Sequence, residues 1–365
     1  MIHVFERASD CVPLGPAWNT LVQAGSGILG LDATATFEWV QTLWEQRLAD
    51  KSVHVLVCED ATGLAGILPI FLETRRVHGL PRRILSPVTE IYSNRCGFIV
   101  REPGEAVLDI FLKHLFSETS GWDTLKMTLV EGSVSDDLLR RLCARHGHTL
   151  ERLDSQHSPY FDLDGTWETY FSALPKKFRW TLRSSEKRMR AEGELTYREV
   201  TGGAELDRFL DAVREIEQGS WKEIAGTSLT ANQNQERFHL AFAYRASERG
   251  WFLGQLLELS GEPIAYIYGL VFKGVFQDFK ESFKEARRDL SPSHVLKMLA
   301  IERLYERGVK TYDFMGLAEP YKLRWADRQY TRSTYCVYHR TLRGRTARWA
   351  ASGARLLKSA IRRPV

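Results

Sequence analysis

The stretch Arg287-Arg-Asp-Leu-Ser-Pro-Ser-His294 decides how the chain is read. It follows a third strand, Val275–Phe279, and leads into Val295–Arg307 (VLKMLAIERLYER). There Val295, Leu296, Leu299, Ala300 and Leu304 recur at helical spacing. Ser291 with Pro292 behind it predicts an N-cap and first helical residue, and Gly308 predicts the stop. A helix start presents N–H groups and the positive end of its dipole, and small residues let an anion reach the backbone. The turn therefore suits a phosphate, with Ser291, Ser293 and His294 around it and Arg287 and Arg288 adding charge. The same Ser-Pro start also caps a purely structural helix.

Working outward, a strand pattern occurs twice. Trp251–Leu259, the turn Ser260-Gly-Glu-Pro263 and Ile264–Phe272 form a hairpin ahead of the third strand; Ser52–Glu59, the turn Asp60-Ala-Thr-Gly63 and Leu64–Leu72 do the same earlier. Each hairpin is followed, after a helix, by a further strand: Asp123–Val130 in the first half and Val309–Met315 in the second. The expected fold is α/β in the α+β sense: two similar units, each a mixed, largely antiparallel sheet flanked by helices. Residues 1–160 form the first, 161–340 the second and 341–365 a basic tail, with Ser158–Leu163 marking the passage between halves. Trp167–Glu192 reads as one long helical region. Its Lys176, Lys177, Arg179, Arg183, Lys187, Arg188 and Arg190 suit either a phosphate or, as charge runs usually do, a solvated face.

Composition narrows the class. A chain of 365 residues, 44% hydrophobic and 26% charged, is long enough for two cores. Its five cysteines are scattered, with no CxxC, which fits a reducing compartment and argues against a disulfide framework or a cysteine zinc site. The N-terminus carries charge where a signal peptide needs an apolar core, and no apolar run reaches bilayer length, so a cytoplasmic protein is expected, at most peripheral to the inner membrane face. The net charge of +4 is concentrated: residues 340–365 hold eight cations and no acid, leaving −4 on the rest. With Trp349, Leu356, Leu357 and Ile361 interleaved, that tail suits contact with anionic lipid or RNA, and equally a solvated terminal helix.

Past the second-half strand comes Gly316-Leu-Ala-Glu-Pro-Tyr-Lys-Leu-Arg-Trp325, a strand end, a glycine turn and a cluster of Glu319, Tyr321, Lys322 and Trp325. Loops after strand ends are where α/β proteins build sites. Asp313, mid-strand between Tyr312 and Phe314, needs a partner or a role, and Lys280 and Glu281 add an amine and an acid on the strand before the phosphate turn. No G-x-S-x-G elbow is present, and His146-Gly-His148 lacks further ligands, so neither a hydrolase nor a metal enzyme is expected.

These residues resemble the GNAT superfamily, and within it the CelD/BcsL-like acetyltransferase family, related to Fem-type peptidyltransferases. The marks are Trp221 in Gly219-Ser-Trp-Lys222, Gly261-Glu-Pro-Ile-Ala265, Phe279-Lys-Glu-Ser-Phe283, the Ser291-Pro-Ser293 turn, and Asp313-Phe-Met-Gly316 running into Glu319-Pro-Tyr-Lys322 and Trp325, over roughly residues 10 to 340. The family's Q/R-x-x-G-x-G/A turn for the CoA pyrophosphate appears as Arg288-Asp-Leu-Ser-Pro-Ser293, its spacing kept and both glycines replaced by serine. The resemblance implies two tandem GNAT-like domains and transfer of an acyl group from acyl-CoA, acetyl-CoA in the first instance, to an amine acceptor such as an amino sugar or a cell-surface polysaccharide precursor. By the same resemblance Arg287, Arg288, Ser291, Ser293 and His294 hold the donor, and Trp221, Lys280, Glu281, Trp325 and Tyr92 of Tyr92-Ser-Asn94 line the acceptor pocket. The first half, which shows no phosphate turn, becomes a degenerate partner. Direct transfer needs a base, an acid and an oxyanion partner: Asp313 or Glu319 for the first, Tyr321 for the second, with Lys322 and backbone N–H groups around Gln277–Phe279 for the developing charge. A Fem-like transferase drawing on aminoacyl-tRNA, and a non-catalytic scaffold docked by the basic tail, are the alternatives.

Overall fold

The computed structural model describes residues 1–24, 28–49, 51–77, 79–93, 95–117 and 121–350. Two compact units emerge, one of Met1–Gln156 with the chain from Thr331 onward, the other of His157–Tyr330. The first unit runs β1 (Ile2–Phe5), α1 (Ala8–Cys11), α2 (Gly15–Gln23), α3 (Phe37–Arg47), β2 (Ser52–Asp60), β3 (Gly63–Val77), β4 (Leu80–Pro87), β5 (Ile99–Val100), α4 (Glu105–Ser117), β6 (Thr124–Val130) and α5 (Val134–Arg145). After β7 (Thr149–Asp162) the second has α6 (Trp167–Ala173), α7 (Lys176–Glu192), β8 (Leu195–Val200), α8 (Ala204–Gln218), α9 (Trp221–Ile224), α10 (Gln233–Glu248), β9 (Phe252–Leu259), β10 (Glu262–Phe272), β11 (Val275–Phe283), α11 (Pro292–Glu306) and β12 (Thr311–Asp313), and β13 (Arg328–Tyr338) follows.

Both units have the expected mixed sheet. In the first, β1 to β4 form an antiparallel ladder, and β6 joins β4 in parallel after the crossover through α4. In the second, β8 to β11 form the ladder, and β12 joins β11 in parallel after α11. A right-handed helical crossover is the short way for a chain to lay a strand parallel to its predecessor. Each ladder buries a contiguous apolar face: Leu108, Phe111, Leu112 and Leu115 of α4 lie in the first core, and Val295, Leu296, Ala300, Ile301 and Leu304 of α11 in the second.

The structure departs from the sequence expectations in local ways. The helical region 167–192 is two helices, because Pro175 forces Leu174 into extended backbone (ψ 150°) and breaks the first. The strand expected over Val309–Met315 is confined to Thr311–Asp313, since Met315 turns left-handed (φ 58°). The division at residue 340 also differs: β13 pairs antiparallel with β6, from Arg332 opposite Val130 to Tyr338 opposite Thr124, so the chain from Thr331 belongs with the first unit. The start of the basic tail continues there. Residues 342–350 are helical, Ala347 packs with Cys336 and Tyr338, and Arg82 donates to the Arg343 carbonyl and to Thr346. The tail cations from Arg355 onward lie outside the described residues. Among the described residues no helix is long and apolar enough to cross a membrane.

Candidate functional site

The chemistry of the second unit is arranged by one irregularity in β11. Pairing with β10 sets Tyr268 opposite Lys280 but Gly269 opposite Asp278, so Phe279 is an extra residue, a β-bulge. Along a regular strand, residues two apart share a face; across the bulge, residues three apart do. Asp278 and Glu281 are thereby turned to the same side and Lys280 to the other. Gly269 permits the close approach: a Cβ there would fall 2.2 Å from the Phe276 ring. Parallel pairing of β11 with β12 covers only Val275–Gln277 against Thr311–Asp313. Beyond it β11 continues along that edge while β12 stops.

From α11, Lys297 reaches this face. Its ammonium lies 2.8 Å from Asp278 Oδ2 and 2.7 Å from Glu281 Oε2, and Tyr312 donates to the same Asp278 oxygen at 2.8 Å. Lys297 is fully buried, with its charge also above the Phe314 ring. Burial would discharge the lysine, but the two carboxylates outweigh it and keep it protonated. The carboxyls are driven apart. Burial and the neighbouring Glu281 raise Asp278 in spite of Lys297, whereas at Glu281 the burial penalty is exceeded by Lys297, Lys222 and Lys322, so it stays ionised. Burial, together with the nearby Glu281 carboxylate, holds the Tyr321 phenol firmly protonated. Paired groups with opposed shifts are the usual mark of acid and base assignments.

Several residues anticipated from the sequence gather around this cluster. Lys322 is buried, 3.1 Å from the half-exposed Glu319, with its ammonium over the Tyr321 ring and against Gly316. Trp221 opens the single turn α9, partly exposed, and its neighbour Lys222 donates to the Glu281 carbonyl. Lys280, on the opposite face, is desolvated and set near Lys222, which brings it down to about 8. Asp313 is a different case. It is fully buried, accepting from the Met315 N–H at 2.8 Å and from the Tyr330 hydroxyl at 3.2 Å. These bonds also give it an anchoring part in the left-handed turn at Met315. Tyr321 and Trp325 lie in the turns over residues 320–325.

The donor turn is only partly as expected. Ser291 occupies the cap position of α11 in left-handed backbone (φ 57°), but its side chain makes no capping hydrogen bond, and its carbonyl takes the N–H groups of His294 and Val295. Arg287 is bound to Glu262 at 2.7 Å and Arg288 to Glu285 at 2.5 Å. Ser293 follows Pro292 in the first turn, next to His294. His294 and Trp325, with ring centres 6.4 Å apart, each keep a buried ring nitrogen without a partner, Nδ1 and Nε1. These orphaned nitrogens fit a ligand at the helix start, and burial with the nearby cations lowers His294 to about 4, leaving it neutral. The cations of α7 serve local partners in part: Arg190 binds Glu186, and Arg188 donates to the Asp289 carbonyl.

In the first unit, Tyr92 sits in a left-handed turn (φ 63°) with Arg47 against its hydroxyl. Asn94 lies outside the described residues. Lys297, Asp278, Tyr312 and Lys222 were not anticipated. The one available signal was a lysine on the buried stripe of α11, one turn before Ile301, which demands a counter-charge; the bulge that supplies it leaves no trace in composition. Among the described residues no three His, Cys, Asp or Glu side chains gather as a metal site.

Residues 176–323 match the family model described as an acetyltransferase (GNAT) domain. A comparison with curated proteins returns no match. Among solved structures, the chain is similar to FemX (12% identity, covering 88% of this chain and 95% of that one, TM-score 0.60). It is also similar to a tandem GNAT protein from the clavulanic acid biosynthesis pathway (13%, 93% and 98%, 0.50) and to L-PGS from Bacillus licheniformis (16%, 88% and 92%, 0.50). The chain thus has the fold of two tandem GNAT-like domains, the second of which carries the sequence match to the GNAT acetyltransferase domain.

Proposed function

We propose that the chain is an N-acyltransferase whose second unit moves an acyl group from a thioester donor, acyl-CoA, to an amine acceptor. The observation that carries this reading is the bulge at Phe279, which sets an ionised carboxylate, Glu281, near a neutral phenol, Tyr321, beside the end of the β11–β12 pairing. Glu281 takes the proton of the attacking amine as the C–N bond forms. Tyr321 gives its proton to the sulfur as the C–S bond breaks, and the proton taken up by Glu281 then passes to the nearby phenolate, so both groups end as they began. Lys297 fixes the Glu281 rotamer. Lys322 is placed for developing negative charge or an anionic acceptor group, and Trp221 and Lys222 border the same strand end. An amino sugar or polysaccharide precursor remains the proposed acceptor class, and the cytoplasm the proposed compartment.

One observation favours a second reading. Arg287 and Arg288 are already engaged by carboxylates, which weakens the turn as a pyrophosphate cradle and suits an aminoacyl ester donor that brings its own contacts. The test is calorimetry with acetyl-CoA, followed by thiol release with glucosamine as acceptor. The CoA reading expects saturable binding, and a rate that falls at least a hundredfold in Glu281→Gln with binding retained. No binding at millimolar acetyl-CoA overturns it in favour of the aminoacyl donor. Equal turnover by Glu281→Gln removes that residue from the chemistry.

A further inference from the structure

The helix over residues 342–350 is fixed to the first unit along one side. Thr341 Oγ1 caps it, accepting from the Gly344 N–H at 3.3 Å. Gly344 lies against the His339 carbonyl with no room for a Cβ, Ala347 packs with Cys336 and Tyr338, and Arg82 donates to the Arg343 carbonyl at 3.4 Å and the Thr346 carbonyl at 3.2 Å. Arg348 reaches Thr149 Oγ1 at 3.3 Å. With residues 344 and 347 turned inward, helical spacing leaves 342, 345 and 349 on the far side. Leu342 is accordingly 78% exposed and Trp349 65%.

Two large apolar side chains thus stand outward two turns apart, about 10 Å along the axis. The charges on the helix are Arg343, Arg345 and Arg348, and among the described residues none of the three has a carboxylate partner. In the sequence the spacing runs on, with Leu356 seven residues after Trp349 and with Arg355 and Lys358 around Leu356-Leu357, and no acid occurs over residues 340–365. Cations beside an apolar ridge suit a surface that is anionic outside and apolar just beneath. A bilayer of acidic phospholipid is such a surface: arginines hold their heads at phosphate depth while leucine and tryptophan enter the headgroup boundary. A single-stranded nucleic acid would meet the charges but use the ridge poorly. The Arg345 guanidinium already covers one face of the Trp349 ring, 5.8 Å from its centre, and a leucine offers no plane for a base to stack on.

We propose that this face, Leu342 and Trp349 with Arg343, Arg345 and Arg348 around them, docks the chain on a bilayer rich in anionic phospholipid. The docking is independent of the transfer chemistry assigned to the second unit and does not rest on it.

The test is flotation of the full chain with vesicles of phosphatidylcholine alone and of an equal mixture of phosphatidylcholine and phosphatidylglycerol. The chain should float with the mixed vesicles and stay in solution with the neutral ones. Leu342→Ser combined with Trp349→Ser should lower partitioning onto the mixed vesicles by about tenfold or more, since two large apolar side chains are lost from the lipid contact. Arg343→Gln combined with Arg345→Gln should lower it by a similar factor of roughly ten at low salt. All four side chains are exposed, so both variants should melt with the wild type, which separates lost docking from lost fold. The proposal fails if the wild type does not float with the mixed vesicles. It also fails if the Leu342 and Trp349 variant floats as well as the wild type, which would leave the attraction to charge alone. Binding of single-stranded poly(U) that this variant loses, without flotation of the wild type, would assign the face to RNA instead.

Discussion

The two parallel strand pairs, β4 with β6 and β11 with β12, are built by the same route and finished in opposite ways. In the first unit the pairing begins at Ile84 opposite Thr124, and the following loop then fills the edge of β6: the Cys96 N–H donates to the Thr128 carbonyl at 2.7 Å, and Glu90 accepts from the Thr128 N–H at 2.9 Å and its hydroxyl at 2.8 Å. In the second unit the corresponding stretch of β11 carries Asp278 and Glu281, both held by Lys297, with Tyr312 donating to Asp278. One edge is closed by backbone and a side-chain plug. The other carries a buried cluster of titratable groups, to which the proposed function gives the proton transfers. The fold is shared and the chemistry is not, which is why a fold likeness alone never assigns a reaction.

The comparison breaks most severely at Lys297. Lys297→Met should cost about 3–5 kcal/mol in urea unfolding, because it leaves two carboxyls buried without their cation. Adding Asp278→Asn and Glu281→Gln should restore most of the loss. A loss under about 1 kcal/mol would show that the triad does not hold this edge together.

Lys280, on the other face of the bulge, is expected to move stability the other way. Its pKa in the folded state is about 8, below the ordinary 10.5, so its stability contribution is present above 10.5 and lost as pH falls through 8. At pH 7 the folded chain therefore carries a buried charge it would rather shed. Lys280→Met should raise stability there by about 3 kcal/mol, and the gain should shrink as pH rises above 8. A gain that is independent of pH would rule out this origin.

The plug of the first unit is tested by Glu90→Ala, which strips the Thr128 N–H of its acceptor and should cost about 1–3 kcal/mol, read by thermal unfolding, with acyl transfer unchanged. Loss of turnover in a well-folded Glu90→Ala would show that the first edge shares in the chemistry. The smallest effect belongs to Arg288→Ala. Its pair with Glu285 is exposed, so stability should change by less than about 1 kcal/mol. Acetyl-CoA affinity should also fall by less than about threefold, within what an exposed pair is worth; a tenfold fall would restore Arg288 as a donor contact.

The elements were largely legible. Hairpins announce themselves through alternating apolar residues and turn chemistry, and α11 through its Ser-Pro start, apolar stripe and terminal glycine, all of which act within a few residues of chain. Tyr321, Lys322 and Glu281 were legible as candidates because strand ends and their loops carry chemistry, and Trp221 through the family resemblance alone. Asp313 was legible as a candidate by its strand position, whereas its bonds with the Met315 N–H and the Tyr330 hydroxyl were not. Lys297 was missed because nothing local distinguishes it from a surface lysine until Asp278 and Glu281 are brought opposite.

By itself the sequence determined the repeated ladder–helix–strand order, since that follows from short-range periodicity and residue type. Tertiary structure alone decided three things. It sent β13 to pair with β6, it shifted β11 by one residue so that Asp278 and Glu281 face Lys297, and it seated residues 342–350 so that Leu342 and Trp349 stand outward. Each depends on which partner a backbone or side chain meets across tens or hundreds of residues, and strand pairing is chosen by the whole sheet rather than by the strand.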